Sequence, residues 1–550
     1  MKRLAVGAAL LSALSALAQL PPDAGGVLRD VEKPRPALPA KPPPRLELEE
    51  PARAPLKAAP AVRFTLKAFR ITGNSAFAES ELQSLVREFV GREVGLAELD
   101  EAAARITRHY RDRGYMVARA YLPQQDIRDG VVEIAVLEGR LGKVELNNRS
   151  RVSDATIARH LDGVSGEVIS EGRLERKLLL LSDLAGIGTS GAALRPGDRV
   201  GESALALELG EARAAGVRFE LDNYGSYFTG EYRLSGELEL ASPAGQGDQL
   251  TVRAIMGTPD FAFIRLGYQL PLGGDGLRVG VAYSDLRYRL GKDFSSLQAH
   301  GSANSAEGTL SYPLVRSRVH NIAAQLGFTY REFDDRIDVT STVTDKSTGV
   351  ARLGLSGDWR DGWGGAAVNA WSLTYGRGEL DIDTPAARLI DDATVRTQGS
   401  FDKVNWSLLR AQRIAERFSG LISLSGQQAG KNLDSSEKFT LGGPYGVRAY
   451  PVGEAPGDEG VLANAELRYD VIPASVQAGV FLDAGEVKLN RDPLPGAGDN
   501  VRRLSAVGAS LNWTTQTGFA ARAIVAWGSK AATSSPDRDP RVWLQLAQRL

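Results

Sequence analysis

Two stretches late in the chain place single charges in surroundings that do not favour them. Residues 441–451 (LGGPYGVRAYP) are too rich in Gly and Pro for a strand, and their one charge is Arg448. Further along, Asp483 interrupts the apolar run 481–485 (FLDAG). The pattern suggests an ion pair between a loop that folds back and a wall residue in a confined interior, because an unpaired charge is costly there. The other interpretation is two unrelated charges, one in a solvated loop and one at a strand end.

Few other residues could support catalysis or hold a metal. The chain has no cysteine and four histidines, and none of the histidines has the spacing of a metal site. His109 lies beside the apolar stripe of a predicted helix and is interpreted as a surface or boundary residue. No nucleophile elbow, phosphate-binding loop or dinucleotide-binding glycine motif stands between a strand and a helix. We therefore expect no catalysis, no cofactor and no ATP hydrolysis by this chain.

The elements that position Arg448 and Asp483 begin behind an export signal. Lys2 and Arg3 are followed by an apolar core over residues 4–14 and by the small-residue site Ala16-Leu17-Ala18. This order predicts a secretory signal peptide over residues 1–18. After it, no run reaches the roughly 18 apolar residues that a spanning helix needs.

Composition excludes one class of partner and identifies a linker. Lys and Arg total 66 against 67 Asp and Glu, so there is no basic excess to meet the phosphates of a nucleic acid. Residues 19–62 are dense in Pro, Ala and charge, which favours an extended linker. Residues 27–32 are expected to form one or two helical turns at most before the prolines stop them.

Two units with the same order of elements follow the linker. In residues 63–140 a strand precedes two helices and two strands, and in residues 141–213 the order β-α-α-β-β recurs. The helices are predicted from apolar residues that repeat every three or four positions, as on one face of a packed helix. The sequence therefore predicts two small α+β domains. Strands of the first are expected over 64–71, 115–122 and 131–137, with helices along 82–89 and 99–110.

From residue 214 to 550 the apolar pattern has a period of two. Near residue 465, for example, Ala and Leu alternate with Asn464, Glu466 and Arg468. We identify sixteen such segments of roughly ten residues, the length of tilted strands that cross a bilayer. The polar faces would line a wet lumen. The sequence thus predicts an all-β transmembrane barrel of sixteen antiparallel strands.

The connections between these segments alternate in length. Seven short turns alternate with connections that are mostly longer and polar, as in outer-membrane barrels, where the short turns are periplasmic. Closure also leaves no unpaired backbone edge in lipid. The alternative is a large soluble β-domain. The longer connections are predicted at 291–304, 332–349, 377–395, 431–459, 486–500 and 529–540.

Five motifs in this order resemble those of a known family. Residues 110–115 (YRDRGY) with 120–127 (AYLPQQDI) resemble the first polypeptide-transport-associated (POTRA) domain of two-partner secretion transporters, the TpsB family (ShlB/FhaC/HecB-like). The others are similar to the end of the second POTRA domain, to the start of the barrel, and to two signatures of the wider outer-membrane assembly superfamily. They are 194–197 (LRPG), 222–226 (DNYGS), 447–450 (VRAY) and 481–485 (FLDAG).

The resemblance implies two periplasmic POTRA domains and a sixteen-stranded barrel in the outer membrane of a Gram-negative bacterium. It implies export of one large, unfolded partner exoprotein (TpsA-like, β-helical) that the POTRA domains recognise. The expected partners are therefore this exoprotein, outer-membrane lipid and, during biogenesis, the barrel assembly machinery, with no nucleic acid. The transporter is expected to act as a monomer. An insertase of the same superfamily, or a passive porin, remains an alternative.

The resemblance also assigns roles to individual residues. The loop carrying Arg448 is expected to enter the lumen and pair with Asp483. Two departures stand out: Ala449 replaces the usual Gly of the loop motif, and Leu550 replaces the usual terminal aromatic residue. Some relatives carry an N-terminal helix that plugs the pore, but the short, proline-broken segment here is not expected to do so. The remaining residues of the loop and wall motifs are Gly446, Val447, Tyr450, Phe481 and Gly485.

Binding of the exoprotein has a candidate surface in the first POTRA domain. A strand edge beside a helix could accept an extended segment by β-augmentation, with side-chain pockets adding specificity. The strand over 115–122 and the helix face near Tyr110 are the predicted location. The alternative is that Tyr110 and Tyr115 belong to the domain core. The candidate contact residues are Tyr110, Tyr115, Tyr121 and Leu122.

Overall fold

The computed structural model describes residues 21–33, 47–48, 63–258, 260–493, 498–529, 533, 535 and 538–550. The predicted signal peptide and most of the predicted linker lie outside these residues. Two short elements belong to the N-terminal part: helix α1 (Ala24–Glu32) and strand β1 (Glu47–Leu48). Among the helices of the described residues, none has the length and apolar character of a membrane span.

The first α/β domain has the predicted order of elements. A three-stranded sheet of order β3-β6-β5 packs against two helices, with β3 parallel and β5 antiparallel to β6. Leu82, Ile106 and Ile134 are fully buried between the layers. The elements are β2 (Phe64–Thr65), β3 (Ala68–Thr72), α2 (Glu79–Val86), β4 (Glu93–Val94), α3 (Leu96–Asp112), β5 (Arg119–Tyr121) and β6 (Val131–Leu137).

Two predicted strands of this domain differ from the structure. The segment 64–71 is divided into β2 and β3, and β2 pairs with β4 in a separate two-stranded sheet. The segment 115–122 is a strand only at β5, because the turn that ends α3 continues into it. The Tyr115 amide donates to the Tyr110 carbonyl, and the Ala118 amide donates to the Tyr115 carbonyl.

The second α/β domain forms one mixed sheet of order β1-β8-β9-β7. Strand β8 is antiparallel to β9, whereas β7 is parallel to β9 and β1 is parallel to β8. Its helices cover one face through buried Ile157, Leu174 and Leu181. The elements are β7 (Arg140–Asn148), α4 (Asp154–His160), α5 (Glu171–Ser182), β8 (Ile187–Pro196) and β9 (Glu202–Glu211).

Sixteen antiparallel strands close into a barrel, which confirms the predicted fold class. Strands β21 and β22 and helix α6 lie in the long connections. The elements are β10 (Ala215–Asp222), β11 (Arg233–Ala241), β12 (Gln249–Gly257), β13 (Phe261–Leu272), β14 (Leu277–Arg289), β15 (Ala299–Arg316), β16 (His320–Ile337), β17 (Thr342–Asp361), β18 (Ala367–Ile382), α6 (Pro385–Ala393), β19 (Gly399–Arg413), β20 (Phe418–Ala429), β21 (Phe439–Thr440), β22 (Pro456–Gly457), β23 (Glu459–Ile472), β24 (Val476–Lys488), β25 (Val501–Thr514), β26 (Phe519–Gly528) and β27 (Arg541–Arg549).

Large apolar side chains cover the outer face of the barrel. Leu353 is 60% exposed and Leu482 is 62% exposed, and most strands carry comparable residues. A soluble β-domain would bury such a surface, whereas a bilayer covers it. The exposed set includes Leu221, Met256, Leu266, Val281, Leu326, Phe328, Leu373, Ile422, Val480, Val507, Leu544 and Leu546.

One predicted long connection is wrong. The stretch 332–349 is mostly strand, because β16 continues to Ile337 and β17 begins at Thr342. These strands have 18 and 20 residues, more than a bilayer requires. Outside the bilayer both faces of a strand can be polar, so the polar sequence does not end the pairing. Likewise β15 begins at Ala299, inside the predicted connection 291–304.

Helix α1 lies inside the barrel, contrary to the expectation that this segment forms no plug. Val27, Leu28 and Val31 are buried against wall residues that include Leu286 and Phe333. Asp23 caps the helix by accepting a hydrogen bond from the Gly26 amide. Pro21 and Pro22 precede the helix and Pro34 comes after its end, so no proline interrupts it. Nine helical residues are enough to occupy part of the lumen.

The second α/β domain packs against the short turns of the barrel. The Asp183 carboxylate receives two hydrogen bonds of 2.7 Å from Arg316, and the Asp183 carbonyl accepts one of 2.7 Å from Arg278. The Ser153 amide donates to the Gly245 carbonyl at 2.9 Å. The second α/β domain therefore lies on the side of the barrel that carries the short turns, as expected if that side is periplasmic.

Candidate functional site

The connection between β20 and β23 folds into the lumen as a hairpin-like loop. The Val447 amide donates to the Leu441 carbonyl at 2.8 Å, and the Gly443 amide donates to the Tyr450 carbonyl at 3.0 Å. Gly446 has to be glycine, because a Cβ there would lie 1.9 Å from the Leu441 carbonyl oxygen. These bonds give the loop a fixed tip that carries Arg448.

Arg448 is in direct contact with Asp483, the residue with which the resemblance implies that it pairs. Its Nε lies 2.9 Å from Asp483 Oδ2, and its Nη2 lies 2.8 Å from Oδ1. The backbone amide of Arg448 also donates to Oδ2, at 3.0 Å. Three hydrogen bonds thus fix both the position and the orientation of the guanidinium, since a bidentate pair adds geometric specificity to charge attraction.

A second carboxylate completes the pair and was not singled out in the sequence. Glu466 on β23 accepts from Arg448 Nη1 at 2.7 Å, and its other oxygen accepts from Arg468 at 2.9 Å. Asn464, two residues before it, donates to Asp483 at 2.8 Å and to the Gly446 carbonyl at 2.9 Å. The available signal was the alternation of β23, which places Asn464, Glu466 and Arg468 together on its polar face.

Aromatic and polar wall residues hold the loop tip on its other sides. The guanidinium carbon of Arg448 lies 3.4 Å from the centre of the Phe481 ring, a cation–π contact. Trp543 donates to the Arg448 carbonyl at 2.7 Å, and Arg541 donates to the Ala449 carbonyl at 3.2 Å. The tip therefore bridges β23 and β24 to β27, the last strand.

The site is closed to water. Arg448, Glu466 and Asp483 are 4%, 6% and 3% exposed. Removing one partner of a buried pair leaves an uncompensated charge, which typically costs about 3–5 kcal/mol. The three side chains can therefore act as a latch that holds the loop in one position.

The remaining motif residues support this latch. Val447 and Tyr450 are buried, and the Tyr450 hydroxyl donates to the Ser529 carbonyl beyond β26. Gly485 makes room for the base of the loop, because a Cβ there would lie 2.5 Å from Leu441 Cδ2. All seven residues predicted for the loop and wall motifs thus meet in one place.

The two departures from the family pattern are accommodated locally. Ala449 does not have a positive φ, so its backbone requires no glycine. Its Cβ packs beside Gly528, where an added Cβ would lie 3.1 Å away. Leu550 is 60% exposed, and its amide donates to the Val217 carbonyl of β10 at 2.9 Å.

Helix α1 is connected to this loop through buried charges. Lys346 Nζ lies 2.7 Å from Asp23 Oδ2 and 2.6 Å from Asp434 Oδ2, so one wall lysine holds both the helix and the loop. At the other end of α1, Glu32 pairs with Arg265 at 3.2 Å and with Arg331 at 3.5 Å. The lumen is thus occupied by two elements that share partners.

The candidate contacts in the first α/β domain separate into core and edge residues. Tyr110 is fully buried, and its hydroxyl donates to Glu138 at 2.8 Å. Burial and the Glu138 carboxylate raise the pKa of Tyr110 well above its ordinary value. Tyr115, Tyr121 and Leu122 are half-buried next to the edge strand β5. The structure therefore places Tyr110 in the core, with half-buried Tyr115 and Leu122 packed against that core, and places Tyr121 in the edge strand itself.

Glu138 is a buried acid that the sequence did not single out. Burial favours its neutral form, but the pKa of Glu138 is nevertheless lowered because the Ala76 amide, the Ser75 amide and hydroxyl and the Tyr110 hydroxyl donate to its carboxylate. The charged form thus joins the end of α3 to the loop after β3. This accounts for Glu138 as a structural residue.

No metal site accompanies these charges. Across the described ranges, no group of three or more His, Asp or Glu side chains is arranged to hold a metal ion. His109, predicted at a surface or boundary, is half-buried, and its Nε2 lies 3.0 Å from Glu81.

Comparison with known proteins gives one consistent result. Residues 201–514 match the haemolysin secretion/activation proteins ShlB/FhaC/HecB, and residues 64–139 match the ShlB-type POTRA domain. The heme/hemopexin transporter protein HuxB of Haemophilus influenzae (strain 86-028NP) is 29% identical over 537 residues, 95% of this chain and 93% of that protein. The outer membrane transporter CdiB of Dickeya dadantii (strain 3937) is 26% identical over 439 residues, 77% of this chain and 76% of that protein.

A solved structure has the same fold. CdiB from Escherichia coli superposes with a TM-score of 0.73, covering 91% of this chain and 93% of that chain at 21% identity. At this identity the likeness concerns the fold.

Proposed function

Because the chain belongs to the ShlB/FhaC/HecB family and is an outer-membrane transporter of two-partner secretion, we propose that it exports a single partner exoprotein in an unfolded state. The family consists of transporters rather than enzymes. The observation that carries the proposal is the buried latch of Arg448 with Asp483 and Glu466 inside a closed barrel. It fixes a loop in the path that an exported chain would take.

The proposed route begins at the POTRA domains. The edge strand β5, with Tyr115, Tyr121 and Leu122 nearby, is the candidate site for an extended segment of the exoprotein, and buried Tyr110 supports it from the core. The segment would then enter a lumen of sixteen strands, a size that leaves an aqueous channel once nothing fills it. Passage of the segment requires α1 and the loop to move out of its path through the lumen.

The driving force is proposed to come from the exoprotein itself. No nucleotide-binding motif was found in the sequence, so hydrolysis by this chain is not the proposed source of energy. Folding of the exported chain at the cell surface would prevent its return. Each part that folds outside would therefore make export up to that point irreversible, and export of the next part would follow. A β-helical exoprotein suits this route because it can fold progressively.

The first test is deletion of the gene followed by comparison of culture supernatants and outer-membrane fractions. We expect the loss of one large secreted protein, with outer-membrane composition unchanged, and recovery on complementation with the intact gene. A broad fall in barrel proteins with unchanged supernatants would contradict the proposal and indicate an insertase. An unchanged secretome with altered uptake of small solutes would indicate a porin.

A further inference from the structure

One row of polar side chains runs around the lumen wall beside helix α1. The register of five neighbouring strands places one residue of each strand at the same level of the wall. All five lie on the lumen side, because their neighbours along the strands, such as Ile264 and Tyr330, are exposed on the outer face. The five residues of this polar row are Arg265 of β13, Ser284 of β14, Ser305 of β15, Arg331 of β16 and Thr348 of β17.

The polar row already holds one carboxylate. Glu32 of helix α1 accepts a hydrogen bond of 3.2 Å from the Ser284 hydroxyl and another of 3.2 Å from Arg265. Arg331 donates to the other oxygen of the same carboxylate at 3.5 Å. Two guanidinium groups and a hydroxyl from three different strands thus converge on one anion, and hydrogen bonds between charged partners are the stronger kind. The wall therefore has a carboxylate-binding site, which Glu32 occupies.

The polar row also has hydrogen-bond donors that Glu32 does not use. Ser305 and Thr348 are 2% and 1% exposed, and neither hydroxyl has a hydrogen-bond partner among the described residues. The Nε of Arg331 is likewise buried and has no partner within those residues. Burial of a polar group without a partner costs free energy, so such groups are uncommon in folded proteins. Because Ser305 and Thr348 lie on either side of Arg331, the row can bind more acceptor oxygens than Glu32 supplies.

The balance of charge around the polar row depends on helix α1. Counted over the described residues, ion pairs here join four wall cations to three carboxylates. The cations are Arg265, Arg331, Arg352 and Lys403, and the carboxylates are Glu32, Glu307 and Glu437. Departure of α1 would remove Glu32 and leave two carboxylates for the four cations. Since an uncompensated charge in a confined interior is costly, the opened lumen would favour acidic groups over basic ones.

We propose that the polar row is a binding site for the carboxylate side chains of the exported exoprotein, and that Glu32 is an internal substitute for them. An acidic residue of the entering chain would compete with Glu32 for Arg265 and Arg331, and it would also accept from Ser305 and Thr348. This competition favours departure of α1. Successive weak binding of acidic residues then lets the chain move onward, because a site on a transport path must also release what it binds. The inference rests on the proposed function, since it names the side chains of the exoprotein that the lumen recognises.

The first test measures block of the opened pore by charged peptides in planar bilayers. In the variant that lacks residues 21–33, hexaglutamate should reduce the current at a lower concentration than hexalysine does. Adding Arg265→Gln should raise the hexaglutamate concentration for half-block about tenfold, because a hydrogen bond between charged partners is lost. The matched control is Arg218→Gln, which removes an arginine that pairs with Glu220 of β10, outside the polar row. It should leave that concentration nearly unchanged.

The second test separates binding of the exoprotein from attachment of α1. The Ser305 and Thr348 hydroxyls make no hydrogen bond to α1, so the double variant Ser305→Ala with Thr348→Val should keep the helix in the lumen and the low conductance of the intact chain. When residues 21–33 are also deleted, the double variant should raise the hexaglutamate concentration for half-block about fivefold, because neutral donors are lost. In the full-length chain it should slow secretion of the exoprotein that gene deletion identifies.

The outcomes separate this inference from the proposed function. Equal block by the two peptides, or equal effects of Arg265→Gln and Arg218→Gln, would show that the polar row does not bind carboxylates of a passing chain. If Ser305→Ala with Thr348→Val changes neither peptide block nor secretion, the row only holds α1. In each of these cases secretion of the exoprotein would still depend on the gene. If gene deletion itself leaves the secretome unchanged, the proposed function fails instead.

Discussion

At the scale of single residues, the chemistry of this transporter is electrostatic rather than catalytic. Arg448 holds a loop in the lumen through Asp483 and Glu466, and all three side chains are buried. In such surroundings the interaction depends on geometry, because the attraction must offset the loss of hydration of both ions. The latch is therefore sensitive to changes that keep the charge but alter its shape.

Replacing Arg448 with Ala should abolish export while the barrel still inserts. The change leaves two buried carboxylates without their shared cation, so the loop should leave its position. Arg448→Lys should recover export only partly, since an ammonium cannot pair in the bidentate manner of a guanidinium. Secretion and heat-modifiable mobility on gels measure the two properties. The matched control is Arg468→Ala, which leaves all three hydrogen bonds from Arg448 to Asp483 in place. Export by Arg448→Ala at the intact level would show that the latch is incidental.

Glu466 changes the expected result of a charge swap. Exchanging the residues at Arg448 and Asp483 would put a carboxylate at position 448, directly beside Glu466. We therefore expect the double variant Arg448→Asp with Asp483→Arg to remain inactive, and partial recovery when Glu466→Gln is added.

At the scale of elements, helix α1 and the latch loop fill the lumen together. Lys346 bonds to Asp23 of the helix segment and to Asp434 of the loop. Arg29 donates to the Ser435 carbonyl at 2.6 Å, so the two elements also contact each other directly. Backbone pairing to the barrel wall is not the only interaction that holds these two elements. Charged side chains also hold them, so we expect those charges to control whether the elements stay in the lumen.

Deleting residues 21–33 should open the pore to ions. A sixteen-stranded barrel without a filling element leaves a water channel, so single-channel conductance in planar bilayers should rise. Lys346→Met should produce intermittent openings of the same size, because it removes the cation shared by Asp23 and Asp434. Asp30→Asn is the control, since Asp30 pairs with Arg29 on the same helix. Equal conductance before and after the deletion would mean that α1 does not obstruct the path of ions.

At the scale of the whole molecule, the second α/β domain is attached to the barrel by several contacts at the short turns. Besides Asp183 with Arg316, Glu175 pairs with Arg318 at 3.0 Å. Each is partly exposed, and an exposed ion pair contributes only about 0–1 kcal/mol. The orientation of the domain must therefore depend on several contacts together.

Removing both ion pairs should loosen the domain without unfolding it. In the double variant Asp183→Ala with Glu175→Ala, spin labels at Glu208→Cys in the sheet and Ala415→Cys in a barrel turn should show a broader distance distribution than in the intact protein. The absence of native cysteine makes this labelling specific. Lys143→Ala is the control, because Lys143 pairs with Glu145 and Asp198 inside the domain. An unchanged width would show that these ion pairs do not orient the domain.

The sequence by itself determined what depends on local pattern. The period of two and the alternation of turn lengths predicted the barrel, since lipid requires a closed sheet and an apolar outer face. The charges in 441–451 and 481–485 left two interpretations open, and the pair Arg448–Asp483 was expected from the barrel pattern together with the resemblance to the family's loop and wall motifs. The sequence pattern did not predict where strands end, as at Ile337. Strand pairing can continue outside the bilayer, where both faces of a strand contact water.

Only the tertiary structure decided what depends on contacts between distant parts of the chain. Glu466 looked like any polar residue of β23 until the loop was placed against it. The role of α1 rests on Asp23 meeting Lys346, 323 residues further along. The pairing of β1 with β8 likewise joins the linker to a sheet that begins far after it. Local composition cannot encode such partners, because their energy comes from burial that only the complete fold creates.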